Sequence, residues 1–300
     1  MDTQRGWAAA FALPVLLVAC SGEPAQQPFP TPFKVIAHRG ASAYAPENTL
    51  AAYAKAMELG VIDVELDIQL SKDDVVILFH DSSLLGKTGR AGKVRDHDAA
   101  DLLEMDIGSW FDRTHGGVDT RFAGTKLTSL AALFENFGDR FRYHVELKSA
   151  DEALARLALE QIEAHQLEHR VRFTSFSFEQ AERARAVAPH IPTGLLVRDA
   201  RRLRRDANEP EDAAVLPLQM QAIDRAVAAG FDQVGFPAVD LSRELVAYAV
   251  EQGLEIRAWR IASDADMRRA ITMGADGMTT NWPDRSIREL LDHERSAPSR

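Results

Sequence analysis

From residue 33 onward, short apolar and β-branched runs alternate with amphipathic stretches of helical period. The strand-like runs are 33–37, 62–66, 75–79, 143–147, 171–174, 193–197, 233–236, 255–259 and 277–280. Helical patterns at 48–59, 151–165 and 241–252 separate them. Strands joined by helices of this length form a parallel sheet. About eight of them in some 260 residues predict an α/β fold, a (β/α)8 TIM barrel in preference to an open doubly wound sheet. Nine candidates compete for eight places. Residues 71–74 are too few for a parallel crossover, so 65–70 and 75–80 are expected to pair as a hairpin and absorb the extra strand. The rhythm then lapses over 81–127, a segment rich in glycine, charge and isolated aromatics. It reads as an insertion after the strand ending at His80, on the face where loops after strands gather around a substrate.

With 300 residues, 46% of them hydrophobic, the chain can bury one large core. A charged fraction of 27% argues against a disordered chain or a polytopic membrane protein. The net charge of −10 would repel a nucleic-acid backbone, so no nucleic-acid partner is expected.

Residues 7–19 carry no charge and follow Arg5, a run too short for the ~20 residues of a membrane span and suited to a signal peptide. It ends in Leu17-Val18-Ala19-Cys20, which resembles the lipobox of bacterial lipoproteins, and Cys20 is the chain's sole cysteine. The expected organisation is a signal peptide over 1–19, a lipidated Cys20 with a proline-rich spacer to 32, a barrel over 33–292 and a polar tail over 293–300. Ser21 after the cysteine resembles sorting to the outer membrane, facing the periplasm. An ordinary secretory signal with a coincidental cysteine is the plainer alternative.

Polar residues interrupt several strand ends. His38-Arg39-Gly40 follows Val35-Ile36-Ala37: an acid/base, a planar phosphate fork, and a glycine that lets backbone approach a ligand. Glu65 and Asp67 are two apart in a strand and therefore share a face, opposite Val64, Leu66 and Ile68. Buried together they need a cation or protons, and oxygen donors suit Mg²⁺ or Ca²⁺. The hairpin brings His80 roughly opposite position 65, and Glu146-Leu147-Lys148 adds a third acid and a base. Asn48 and Thr49 either belong to this cluster or are nothing beyond a helix start. Converging at the C-terminal ends of barrel strands, these groups would place a metal site beside a phosphate site.

The order His38-Arg39-Gly40, Pro46-Glu47-Asn48-Thr49, Glu65-x-Asp67, His80-Asp81, Glu146-x-Lys148 and Gly274-Ala275-Asp276-Gly277 resembles the glycerophosphodiester phosphodiesterase family. Ile107-Gly108-Ser109-Trp110-Phe111 is similar to that family's inserted segment. The resemblance implies a (β/α)8 barrel that hydrolyses a phosphodiester with one divalent cation. It implies Glu65, Asp67 and Glu146 as metal ligands, and His38 and His80 as acid/base pair, with His38 accepting and His80 donating. Arg39 and Lys148 would neutralise phosphate, and Trp259 would line the substrate pocket or sit in the core. Either water attacks directly or a substrate hydroxyl first closes a cyclic phosphate. The substrate would be a small glycerophosphodiester or, for a lysophospholipase D, a lysophospholipid; a lipid-anchored binding protein without chemistry is the alternative from another class. Leu85-Gly86-Lys87-Thr88-Gly89 departs from the Leu-Asp-Arg-Thr-Thr of many relatives, and Asn281 stands where aspartate is frequent. Gly86-Lys87-Thr88 is not a nucleotide-binding P-loop, because Asp81 occupies the position of the required first glycine. The arginine run at 201–205 reads as a charged helix face, or, in a lipid-anchored protein, as a contact for anionic head groups.

Overall fold

The computed structural model describes residues 33–115 and 121–296. The expected signal peptide, Cys20 and the expected spacer lie outside the described residues. Among the described residues there are ten strands: β1 (Lys34–Ala37), β2 (Asp63–Leu70), β3 (Val76–Leu78), β4 (Thr128–Ser129), β5 (Arg142–Leu147), β6 (Val171–Ser175), β7 (Thr193–Leu196), β8 (Gln233–Pro237), β9 (Glu255–Ile261) and β10 (Gly277–Thr280). Eight of them run parallel in the order β1-β2-β5-β6-β7-β8-β9-β10, and β10 pairs back to β1 to close a barrel. The expected hairpin forms: β3 lies antiparallel to β2 with Ile68 opposite Leu78, and β4 extends it antiparallel to β3.

Alternation along β2 sorts its side chains. Val64, Leu66 and Ile68 face outward into a core shared with Tyr53, Leu133 and Phe134 of the surrounding helices, which leaves Glu65 and Asp67 inside the barrel. The other half is built alike, with Val234, Phe236, Ile256 and Ala258 against Ile223 and Leu245. Five of the helices open on a capping side chain: Thr49, Ser129, Ser177, Ser242 and Ser263 each accept a hydrogen bond from a backbone N–H of the first turn.

Among the described residues, the segment after His80 contains three α-helices, Leu85–Thr88, Ala99–Leu102 and Gly108–His115, and a 3-10 turn at Val94–Asp96, and it packs Leu84, Val94, Leu102 and Ile107 against Ile77 and Phe79. The final helix, Pro283–Ser296, continues past the boundary expected at 292. No helix among the described residues is long and apolar enough to cross a membrane. At the N-terminal mouth of the barrel, Glu255 pairs with Lys34 at 3.1 Å and Arg172 at 3.0 Å.

Gly40 differs from expectation. Its φ is +79°, and a Cβ there would lie 2.7 Å from the carbonyl carbon of Ala52, so the glycine admits the backbone of the first helix rather than a ligand.

Candidate active site

Asp67 of β2 is in register with Glu146 of β5, and Glu65 lies two residues before Asp67 on the same inward face. All three are buried, and one carboxylate oxygen of each lies within 4.8 Å of the others. Glu65 Oε1 and Asp67 Oδ1 are buried without a hydrogen-bond partner. Burial, then the charges of Asp67 and Glu146, pushes the Glu65 carboxyl well above the usual range, and burial with Asp67 raises Glu146. Asp67 goes the other way. Burial alone would raise it, but Arg39, His80 and Lys148 hold it far below its ordinary value. A compact set of oxygen donors with two unsatisfied oxygens and mutual repulsion fits a hard divalent cation.

Cationic and amide groups fix the cluster from both sides. Arg39 Nε lies 3.0 Å from Asp67 Oδ2, and the Arg39 backbone N–H donates to Glu65 Oε2 at 2.9 Å. Lys148 Nζ donates to Glu146 Oε1 at 2.7 Å and lies 3.7 Å from Asp67 Oδ1. Asn48, for which the sequence also allowed a helix start, is a buried strut instead. Its Nδ2 donates to Asp67 Oδ2 at 2.9 Å and its Oδ1 accepts from the Asp67 backbone N–H at 3.2 Å. It does so at φ +57°, a conformation asparagine tolerates better than most residues; Thr49 alone is the cap.

His38 and His80 both line a cavity of about 540 Å³ together with Arg39, Glu65, Glu146 and Lys148. His38 Nδ1 lies 2.6 Å from Asn281 Oδ1, and Nε2 lies 3.9 Å from Glu65 Oε2. An amide oxygen only accepts, so it assigns the proton to Nδ1 and leaves Nε2 basic. Burial, then the charge of Arg39, pushes His38 down to about 3, which keeps the imidazole neutral near pH 7. His80 Nδ1 lies 2.7 Å from Asp81 Oδ1. That hydrogen bond, aided by Lys87, holds the Asp81 carboxyl down to about 2 despite partial burial, so Asp81 stays ionised and orients the ring.

Glu47, His80 and Asp81 form a second group with metal-ligand spacing, but a side-chain ammonium already serves it. Lys87 Nζ sits 2.7 Å from Glu47 Oε1 and 3.0 Å from Asp81 Oδ1, while Glu47 also binds Arg39 at 3.0 Å. A continuous path therefore runs His80–Asp81–Lys87–Glu47–Arg39–Asp67. Sequence reasoning missed Lys87 in this role, because the inserted helix that carries it is one turn long.

It also missed Arg257, which is 2% exposed inside the barrel and feels the charges of Glu65 and Glu146. The signal was present in Glu255-Ile256-Arg257-Ala258-Trp259, whose alternation turns 255, 257 and 259 inward. Trp259 lines the cavity, meets Phe176 edge-on at 5.0 Å and donates from Nε1 to the Gly235 carbonyl at 3.3 Å. The arginine run forms the exposed helix Ala200–Asp206, where Arg202 pairs with Asp206 and Arg204 with the Ala213 carbonyl.

Comparison with known proteins places these features in context. Residues 38–285 match the profile of the Glycerophosphoryl diester phosphodiesterase family. A glycerophosphodiester phosphodiesterase of Bacillus subtilis is 31% identical over 258 residues, 83% of each chain. One from Caldanaerobacter subterraneus is 31% identical over 257 residues, 84% of this chain and 96% of its own. An Oleispira antarctica phosphodiesterase, solved with the product sn-glycerol 3-phosphate, shares the fold with a TM-score of 0.70 at 24% identity, covering 86% of this chain and 96% of that one.

Proposed function

The chain belongs to the glycerophosphoryl diester phosphodiesterase family and is an enzyme of that class, and from this we propose a specific reaction: hydrolysis of glycerophosphodiesters to an alcohol and glycerol 3-phosphate, with one divalent cation and two histidines. The observation that carries it is the meeting of three buried carboxylates, two of them with an oxygen that accepts no hydrogen bond, beside two imidazoles in one cavity. Glu65, Asp67 and Glu146 would hold Mg²⁺ or Ca²⁺, which when bound supplies Lewis-acid neutralisation of phosphate charge. Arg39 and Lys148 line the same cavity and neutralise the phosphate oxygens. His38, neutral and with Nε2 free of the Asn281 contact, accepts the proton of the attacking hydroxyl. His80, held through Nδ1 by Asp81, donates the proton that the departing alkoxide needs.

Purified, metal-loaded protein is expected to turn over glycerophosphoglycerol and glycerophosphocholine, to stop when a chelator is added, and to resume with Mg²⁺ or Ca²⁺. His38→Ala and His80→Ala should each lower kcat by about 10²–10⁴-fold. Turnover of lysophosphatidylcholine in preference to both would move the reading to a lysophospholipase D. No metal-dependent turnover of any of them would leave only a binding protein. The Leu17–Cys20 motif supports export and a lipid anchor at Cys20, by our reading at the outer membrane facing the periplasm; labelled palmitate should enter the wild-type chain and not Cys20→Ala.

A further inference from the structure

Two cavities meet at His80. The larger, of about 540 Å³, includes His38, Arg39, Trp259 and Asn281 in its wall. The smaller, of about 380 Å³, includes Gln69, Ser82, Lys93, Ser149 and Ser177. His80, Glu146, Lys148, Phe176 and Arg198 belong to both walls, whereas His38 belongs to the larger alone. We infer that the smaller cavity is the subsite for the departing alcohol, and that it selects uncharged polyol head groups over cationic ones.

The inference rests on the reading that His38 accepts and His80 donates the proton. In a displacement at phosphorus, the entering and departing oxygens lie roughly in line on opposite sides. With the entering oxygen toward His38, the departing oxygen points toward His80, and the rest of its alcohol continues past that ring. The space beyond His80 and away from His38 is the smaller cavity.

Its wall is chemically one-sided. It carries three cationic side chains and one carboxylate; Lys148 is paired with that carboxylate, Glu146 of the acidic cluster, so Lys93 and Arg198 leave the wall positive. Asp81, bonded to His80, and Asp151, which lines an adjoining cavity with Lys93, are already paired with Lys87 and Arg95. A quaternary ammonium would otherwise seek an aromatic face. The aromatic ring in this wall, Phe176, is already covered, with the Arg198 guanidinium 4.6 Å and the Lys148 ammonium 5.7 Å from its centroid. What the wall does offer is hydrogen bonding. The Ser177 Oγ accepts from the Gln180 N–H and keeps its own O–H to donate, and the Ser149 Oγ donates to Asp151 and keeps lone pairs to accept. Those groups, with the Lys93 ammonium, suit hydroxyls of a glycerol-like or inositol-like alcohol.

The test compares kcat/KM for glycerophosphoglycerol and glycerophosphocholine with the metal-loaded enzyme. The wild type should favour glycerophosphoglycerol by about tenfold, the scale of one unfavourable charge contact in a partly hydrated site. Lys93 is exposed, so Lys93→Glu should fold normally and cut that ratio about tenfold, with Lys93→Met between the two. A general packing defect would slow both substrates alike and leave the ratio in place. A wild-type ratio at or below one, or a ratio unmoved in Lys93→Glu, overturns the subsite while leaving the proposed reaction intact. Turnover of neither substrate overturns the proposed reaction and the subsite with it.

Discussion

Lys87 joins the two halves of the site through a single ammonium, because Glu47 leads from it to Arg39 and Asp67, and Asp81 leads to His80. It is 8% exposed, so removing its charge would leave Glu47 with Arg39 alone and Asp81 with His80 alone, with no cation between the two carboxylates. Lys87→Met is therefore expected to lower kcat for natural alkyl leaving groups by about 10–100-fold, a part of what a positioned general acid supplies, with a smaller change in KM. Lys87→Arg should recover much of the loss, and an activated p-nitrophenyl diester, whose departing phenolate needs no proton, should be nearly indifferent to either change. Equal losses on both substrates would show that Lys87 supports folding rather than His80. At this scale the sequence was legible where a residue's neighbours in the chain define its setting. Glu65 and Asp67 announced themselves as charges alternating with apolar residues, and so did Glu146. Arg257 carried the same alternation and was overlooked, whereas Lys87 and Asn48 act through partners distant in the chain, which no local pattern encodes.

At the level of elements, the barrel strands were visible because each is a short apolar run with a helix behind it, and the hairpin because four residues cannot make a crossover. Strand β4, two residues long, and the inserted helices Leu85–Thr88 and Ala99–Leu102, four residues each, are too short for a period to repeat in them. The strand starts carry their own electrostatics. Burial alone would raise the Glu255 carboxyl, yet Arg172 and Lys34 hold it below its usual range. Its folded pKa is thus lower than its unfolded one, so its contribution to stability is complete above the unfolded value near 4.5 and fades as pH falls through the folded value. Urea unfolding across pH 3–7 should show the wild type losing stability below about pH 4.5. Glu255→Gln should lose less over that interval, and identical slopes for the two proteins would contradict the pairing.

For the whole molecule, closure of the barrel is what turns scattered polar residues into a site, since it brings β1, β2 and β5 side by side and sets Asp67 across from Glu146. The fold was legible as a count and an alternation; the insertion's contribution to the site was legible only as a position. A buried trio of acids is costly in any chain that does not use it, which makes cation binding the point on which the rest turns. Calorimetric titration of chelator-stripped protein with Mg²⁺ and with Ca²⁺ tests it directly. The prediction is saturable binding of one ion per chain by the wild type, lost in a Glu146→Gln variant that melts like the wild type. Absence of saturable binding, or binding undiminished in that variant, would contradict it.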